Sequence, residues 1–88
     1  MRRELRIFCD YGAEWPLWEI GMMCPEDYGI SQPLAARLAK WNEQFQENLH
    51  WEKGWQNGFD DAAWNRRGQE LARDVQREVG DEINVVYL

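Results

Sequence analysis

The chain has 88 residues, of which 44% are hydrophobic and 14% aromatic, including six tryptophans, and its formal net charge is −6. This length predicts one domain spanning residues 1–88, and the hydrophobic content is sufficient for a folded core, which excludes disorder. Direct binding to nucleic-acid phosphates needs a basic stripe, so the acidic balance argues against it. No apolar run is long enough for a membrane span or a signal sequence, so we expect a cytoplasmic protein without membrane association.

The N-terminal quarter of the chain predicts two antiparallel strands. Apolar and polar residues alternate from Leu5 to Tyr11, which predicts a first strand that Gly12 ends. A second alternation from Leu17 to Cys24 predicts a strand antiparallel to the first. Pro16 lacks an amide donor, so we expect it at the start of that strand or at a sheet edge.

Two helices with matched apolar stripes are predicted next. After a turn at Pro25–Gly29, Ser31 is the predicted N-cap of a helix that runs to about position 50 or 51. A second helix is predicted from position 60 or 61 to Gly80. Both stripes have steps of four, three, four and four residues, which predicts a helical hairpin with both stripes facing inward onto one face of the sheet. The stripes consist of Leu34, Leu38, Trp41, Phe45 and Leu49 in the first helix and of Trp64, Gly68, Leu71, Val75 and Val79 in the second.

Gly68 and the C-terminal segment complete the predicted fold. A glycine inside a helix costs about 1 kcal/mol relative to alanine, so we expect close approach of a bulky neighbour, Trp41 or Phe45. Residues 82–88 predict a last strand. Because it is apolar on both faces, we expect it to be sandwiched or central. The two intervening helices allow it to lie parallel beside the first strand. The order ββααβ predicts an α+β fold in which the helical hairpin packs on a three-stranded sheet.

The first candidate binding cluster is Trp15–Trp18, which lies in a segment with five acids and no base. On a regular strand, Trp15 and Trp18 point to opposite faces, so at least one of them is expected to be partly exposed. Such a side chain either covers a sheet edge or forms a binding patch with Glu14 and Glu19 nearby.

The second candidate cluster lies between the helices, in residues 50–59. Two glycines and an Asn-Gly pair predict a loop, and this loop contains Trp51, Trp55 and Phe59 together with Glu52. In one interpretation the loop folds back so that Trp55 and Phe59 cover the end of the core. In the other, its aromatic side chains form an exposed lip for recognition.

Residues for catalysis or metal binding are sparse. His50 is the only histidine and Ser31 the only serine in a chain without threonine, so Ser-His catalysis is not expected. Neither His50 nor the two cysteines have diagnostic metal-ligand spacing, so we expect no metal, no cofactor and reduced, packed thiols. Carboxylate chemistry remains an alternative if Asp10, Glu14 and Glu19 converge near the first turn.

Several short segments stand in a characteristic order along the chain. They are Asp10-Tyr11-Gly12, Trp15-Pro16-Leu17-Trp18, Ser31 opening a helix with Leu34, Leu38 and Trp41, Gly68-Gln69-Glu70-Leu71-Ala72 and Val85-Val86-Tyr87. This order resembles a group of small uncharacterised proteins of actinobacteria and their phages, and the resemblance spans most of the chain. It implies no known activity and carries over no catalytic residue, and it favours an accessory or phage-linked interaction protein.

Together these patterns predict a small acidic protein-binding module, such as an inhibitor, an immunity protein or an antitoxin-like partner. The uncompensated acids predict a partner with a basic surface, and a free strand edge leaves a homodimer open. The first alternative is a nucleic-acid-mimicking inhibitor of a DNA- or RNA-binding protein, and the second is a small enzyme that uses clustered carboxylates. The predicted partner-binding residues are Trp15, Trp18, Trp51, Trp55, Phe59, Glu14, Glu19 and Glu52.

Overall fold

A computed structural model describes residues 3–88 of the chain. It confirms the predicted α+β class, with two helices on a three-stranded sheet and one additional small hairpin between the helices. The elements are β1 (Arg3–Ile7), β2 (Leu17–Trp18), a 3-10 turn (Pro25–Tyr28), α1 (Gln32–Asn48), β3 (Leu49–His50), β4 (Gly54–Trp55), α2 (Asp61–Val79) and β5 (Ile83–Tyr87).

The three-stranded sheet has the order β2-β1-β5, with β1 in the centre. β1 pairs with β2 in antiparallel orientation, with Ile7 opposite Leu17, and with β5 in parallel orientation, with Ile7 opposite Tyr87. Both predicted pairings are therefore confirmed. The prediction that the last strand is central or sandwiched is wrong, because β1 takes both partners and leaves β5 at an edge. On one face of the strand Ile83 is buried and Tyr87 lies against Gly68 of α2, while Val86 is half-buried on the other face.

Gln76 of α2 closes part of the outer edge of β5. The Val85 N–H donates to Gln76 Oε1 over 2.9 Å, and Gln76 Nε2 donates to the Ile83 carbonyl oxygen over 2.8 Å. Backbone groups alternate in direction along a strand, and the Leu88 N–H donates to Ile7 of β1. The Ile83 and Val85 groups therefore point away from β1, and the Gln76 amide takes the place of a neighbouring strand there.

Both N-terminal strands are shorter than predicted. β1 ends at Ile7, and β2 contains only two residues because the chain reverses direction directly after Trp18. The Glu19 N–H donates to the Gly21 carbonyl over 3.1 Å, and the Met23 N–H donates to Leu17 over 2.7 Å. The alternation that predicted a strand from Leu17 to Cys24 thus continues through a tight turn, whose tip, Ile20, is 94% exposed.

The helix starts agree with the sequence, but the end of α1 does not. Ser31 Oγ accepts the Leu34 N–H over 3.4 Å, and Asp60 Oδ1 accepts the Ala63 N–H over 3.0 Å, as expected for N-caps. α1 ends at Asn48 rather than at position 50 or 51, because Leu49 and His50 pair with the β4 strand in an antiparallel hairpin. The predicted interhelix loop therefore contains this two-stranded β3–β4 hairpin.

A reciprocal tryptophan pair joins the two helices. The rings of Trp41 and Trp64 stack with their centroids 4.4 Å apart and 12° between their planes. The Trp41 indole N–H donates to the Trp64 carbonyl oxygen over 2.8 Å, and the Trp64 indole N–H donates to the Trp41 carbonyl oxygen over 3.0 Å. Both side chains are buried, so each indole donor has the partner that burial requires. The prediction that the two helix stripes face each other is confirmed.

Gly68 lies where α2 passes closest to this pair. A Cβ atom at position 68 would lie 2.5 Å from Trp41 Cζ2 and 2.5 Å from Tyr87 Cε1. The expected close approach of a bulky neighbour is therefore confirmed for Trp41, and the second neighbour is Tyr87 rather than Phe45. Glycine at this position lets α2, α1 and β5 meet at one point.

Candidate protein-binding site

Trp51 lies in the turn of the β3–β4 hairpin and is 72% exposed. The His50 imidazole organises this turn, because its Nδ1 accepts the Glu52 N–H over 3.1 Å and the Lys53 N–H over 3.3 Å. The His50 ring also stacks on Trp51 with the centroids 5.8 Å apart. His50 is thus a structural residue of the turn, and Trp51 is presented to solvent.

Trp55 and Phe59 lie behind this turn and cover the end of the core. Their rings stack with centroids 5.1 Å apart, and the Trp55 ring is 5.0 Å from that of Trp64 and 6.1 Å from that of Phe45. Both side chains are half-buried. The two interpretations of this segment therefore apply to different residues, since Trp55 and Phe59 fold back onto the core while Trp51 is exposed.

Trp15 and Trp18 of the first cluster are both half-buried. The Trp18 ring stacks on Phe8 with the centroids 4.9 Å apart, and its indole N–H donates to the Phe8 carbonyl oxygen over 3.0 Å. Trp15 packs against the core. These two side chains cover the β2 side of the sheet, and the exposed apolar residues beside them are Ile20 and Met22.

Glu19 is an ion-paired residue in the structure. Arg3 donates to both of its carboxylate oxygens over 2.7 Å, and the Tyr28 hydroxyl donates to Oε1 over 2.7 Å. These hydrogen bonds, the Arg3 one first, lower the pKa of Glu19 from 4.5 to about 2. The interpretation of Glu19 as an uncompensated acid is therefore wrong, because its partner Arg3 comes from β1, outside the segment without bases. A catalytic acid would need a raised pKa instead.

Acidification is expected to remove the stabilisation that Glu19 provides. A depressed folded-state pKa means that this contribution is complete above pH 4.5 and is lost as the pH falls from 4.5 toward about 2. Glu19→Gln should therefore lower the free energy of unfolding at neutral pH and have little effect at the acid end of this range. Urea unfolding at both pH values measures the difference, with Glu14→Gln, an exposed acid nearby, as the control. An equal loss at both pH values would contradict the expectation.

Asn42 and Gln46 of α1 hold the segment before β2, a role that sequence reasoning missed. Asn42 is buried, and its Nδ2 donates to the Glu14 carbonyl oxygen over 3.1 Å. Gln46 Nε2 donates to the Asp10 carbonyl oxygen over 2.8 Å. In the sequence, the two residues differ from other polar helix residues only by following stripe positions 41 and 45. The Glu14 side chain itself is exposed.

Exposed acids lie on both sides of the β3–β4 hairpin along the chain, and one lies in its turn. Five acids lie between positions 43 and 61 against the single base Lys53, which gives this stretch a net charge of −4 with histidine neutral. All five are exposed, and they are Glu43, Glu47, Glu52, Asp60 and Asp61. The hairpin thus presents a large exposed aromatic side chain in its turn, and the chain segments that contain and flank it carry exposed acids.

The two thiols are unpaired, and within residues 3–88 the side chains that can bind metal ions do not cluster. Cys9 and Cys24 are free and half-buried, and burial raises the pKa of Cys9 to about 12, which favours the inert thiol form. Within residues 3–88, no group of three or more His, Cys, Asp or Glu side chains is placed to hold a metal ion. In the same range, no helix is long and apolar enough to cross a membrane.

A small α+β fold with one exposed tryptophan on a hairpin flanked by acids has the kind of surface expected of a protein that binds another protein. A family model described as Serratia CdiI immunity protein-like matches residues 3–88, and the chain belongs to this family. Its function is accordingly that of a protein-binding immunity protein, which inhibits a toxin and is not an enzyme, so the carboxylate-enzyme alternative is wrong. No curated protein matches the chain. The resemblance to actinobacterial and phage proteins stays a prediction.

Proposed function

We propose that the chain neutralises its cognate CdiA toxin domain in the cytoplasm by binding it through the hairpin surface, defined as Trp51, Glu47 and Glu52. The observation that carries this proposal is the 72% exposure of Trp51 in a turn held by His50. Of the six tryptophans, the other five are buried or half-buried, so Trp51 alone is free to enter a pocket on a partner. The hairpin surface retains Trp51 and Glu52 from the sequence-based site and adds Glu47.

Burial of Trp51 against a toxin would supply a large part of the binding energy. A tryptophan can bury roughly 150–250 Å², and apolar burial contributes about 25 cal/mol per Å². Energetically dominant interface residues are also enriched in tryptophan. The stack of Trp55 and Phe59 fastens the hairpin to the core. A hairpin that is already ordered loses little conformational entropy on binding, which supports its use as an anchor.

The acids around the hairpin support a toxin surface that is basic. A negative patch accelerates encounter with a positive one and disfavours partners of the same sign. A cavity of about 550 Å³ at the hairpin is lined by both Glu47 and Lys53, so its lining favours neither sign of charge and the basic-surface expectation rests on the exposed acids. Nucleic-acid mimicry is a narrower form of this recognition, and it predicts in addition that nucleic acid competes for the same toxin surface. A homodimer through β5 is a separate proposal that rests on the position of this strand at the sheet edge, and it would require displacement of the Gln76 amide from that edge.

Trp51→Ala is expected to raise the Kd for the CdiA toxin domain by about 30-fold, as for a residue that contributes about 2 kcal/mol. Its thermal stability should be unchanged, because the side chain is mostly exposed. Titration calorimetry measures the affinity, and Ile20→Ala is the matched control, since Ile20 is 94% exposed on a different turn. If Ile20→Ala weakens binding and Trp51→Ala does not, the toxin binds beside Trp18 and the hairpin proposal is wrong.

The charge part of the proposal is tested on the same complex. The association rate should fall steeply from low to high salt if acids around the hairpin steer a basic toxin. An association rate that does not depend on salt would contradict a basic toxin surface. It would not affect the expected loss of affinity in Trp51→Ala. Competition by added duplex DNA or RNA would favour mimicry.

A further inference from the structure

A groove of about 350 Å³ lies between α1 and α2. Its lining includes Arg37, Lys40, Trp41 and Gln44 from α1 and Arg67 and Glu70 from α2. The α1 positions pair at spacings of three and four (37 with 40 and 41, 44 with 40 and 41) and the α2 positions at a spacing of three, which places each set on one helix face. Trp41 is only 2% exposed, so the bottom of the groove is apolar, whereas its rim is polar and charged.

The rim is positive although the protein is negative. Three bases, Arg37, Lys40 and Arg67, stand against Glu70, which gives the groove a net charge of +2 in a chain with a net charge of −6. Arg37 is neutralised in part by Asp74, whose Oδ2 lies 2.9 Å from Arg37 Nη1.

The other two bases, Lys40 and Arg67, share the groove with Glu70 but lie outside ion-pair distance of it. Arg67 Nη2 donates to the uncharged Gln44 Oε1 over 3.2 Å. In the part of the chain that the structure describes, neither Lys40 nor Arg67 forms an ion pair. Their donors are therefore available to an anionic group in the groove, and Gln44 holds the Arg67 guanidinium at the rim.

The geometry points to a second contact with the toxin, in which the groove between α1 and α2 accepts a toxin segment that carries an aspartate or glutamate side chain. The carboxylate would lie between Lys40 and Arg67 at the rim of the groove. This inference rests on the proposed function in taking the toxin as the partner, but it does not depend on the hairpin surface. It implies that the toxin presents a basic region to the hairpin and an acidic side chain to the groove, so that opposite charges fix its orientation.

Both the single charge and the small size of a carboxylate favour it over a strand of nucleic acid as the occupant of the groove. A strand of nucleic acid would bring many phosphates close to a chain with a net charge of −6. A single carboxylate needs only Lys40 and Arg67, which form no ion pair within residues 3–88. A second copy of this acidic chain also carries carboxylates and is the alternative occupant. Crosslinking distinguishes it from the toxin.

Zero-length carbodiimide crosslinking of the complex with the toxin domain tests the contact directly. The reagent joins a lysine amine to a carboxyl group in contact with it, and the chain has only two lysines, Lys40 and Lys53. Mass spectrometry should find Lys40 joined to an aspartate or glutamate of the toxin. Lys53, in the hairpin that would face a basic region, should not be joined to the toxin. A Lys40 crosslink to a second copy of this chain, or no intermolecular crosslink at Lys40, would overturn the inference.

Affinity of a matched pair of variants gives an independent test. Arg67 and Arg66 are adjacent exposed residues of α2, but only Arg67 lines the groove. Arg67→Glu should raise the Kd for the toxin domain by about tenfold more than Arg66→Glu does, with both variants folded by circular dichroism. Equal effects of the two reversals would show a general charge effect and contradict the inference. Loss of binding in Arg67→Glu combined with full binding in Trp51→Ala would retain the groove and reject the hairpin surface.

Discussion

Trp41→Ala is expected to lower the free energy of unfolding by about 3–5 kcal/mol, the range for removal of a large buried aromatic side chain. Trp41 is 2% exposed and stacks on Trp64 with the centroids 4.4 Å apart. The substitution leaves a cavity between the helices and also removes the indole N–H that donates to the Trp64 carbonyl oxygen. Small domains have a total stability of about 5–15 kcal/mol, so this loss is expected to leave the protein only marginally folded.

Chemical denaturation of Trp41→Ala beside Trp51→Ala measures this effect. The second variant removes the same side chain from an exposed position, so its free energy of unfolding should change by less than about 0.5 kcal/mol. Trp41→Phe adds a further comparison, because it keeps an aromatic ring and loses the N–H donor, and it should fall between the two. Similar stabilities for Trp41→Ala and Trp51→Ala would contradict the packing of the two helices described above.

Gly68→Ala is expected to destabilise the protein by about 1–3 kcal/mol, the usual cost of overpacking. In an open helix the same change would stabilise by about 1 kcal/mol, because alanine has the higher helix propensity. Here the added Cβ would lie 2.5 Å from both Trp41 and Tyr87. Trp41 is fixed by the stack with Trp64, and the Tyr87 hydroxyl donates to Asn65 Oδ1 over 2.8 Å, so neither ring moves away freely.

Thermal unfolding of Gly68→Ala and Gly21→Ala separates the steric effect from the general effect of replacing glycine. A Cβ at position 21 meets no atom within 4 Å, so Gly21→Ala should leave the melting temperature nearly unchanged. A higher melting temperature for Gly68→Ala would mean that Tyr87 swings aside and that the contact of α2 with β5 is looser than the structure shows.

The helices could be predicted from the sequence because their patterns are long. Seventeen and nineteen residues give several repeats of the stripe, and Ser31 and Asp60 mark the starts by cap chemistry that is local. The same stripe located Gly68 as a contact point, since a glycine among large apolar residues requires a close neighbour. Pairing of β1 with β5 followed from the order of the elements and the connection rules.

The ends of the strands could not be predicted in the same way. The β2 strand has two residues, which are too few to show a periodic pattern. The alternation that continues through Ile20 and Met22 belongs to a turn. The β3–β4 hairpin similarly has two residues on each side, which is too few for a pattern to detect. In such short elements, tertiary contacts decide the conformation.

The candidate site was predictable in part, for a related reason. Composition identified an excess of tryptophan and acid, but which of these groups is free depends on contacts between distant residues. Arg3 neutralises Glu19 across sixteen positions, and Trp55 folds onto Trp64. The groove between the helices was missed because its bases, at positions 37, 40 and 67, come together only when α1 and α2 pack.

The amide of Gln76 has a consequence for the behaviour of the protein at high concentration. Growth of fibres by strand addition requires a run of unoccupied backbone groups along a sheet edge. On β5, the outward carbonyl of Ile83 and the outward N–H of Val85 are already bonded to Gln76. A foreign strand would have to displace a side chain that is carried by α2 before it could extend the sheet. The helix therefore hinders strand addition at the β5 edge as well as covering one face of the sheet.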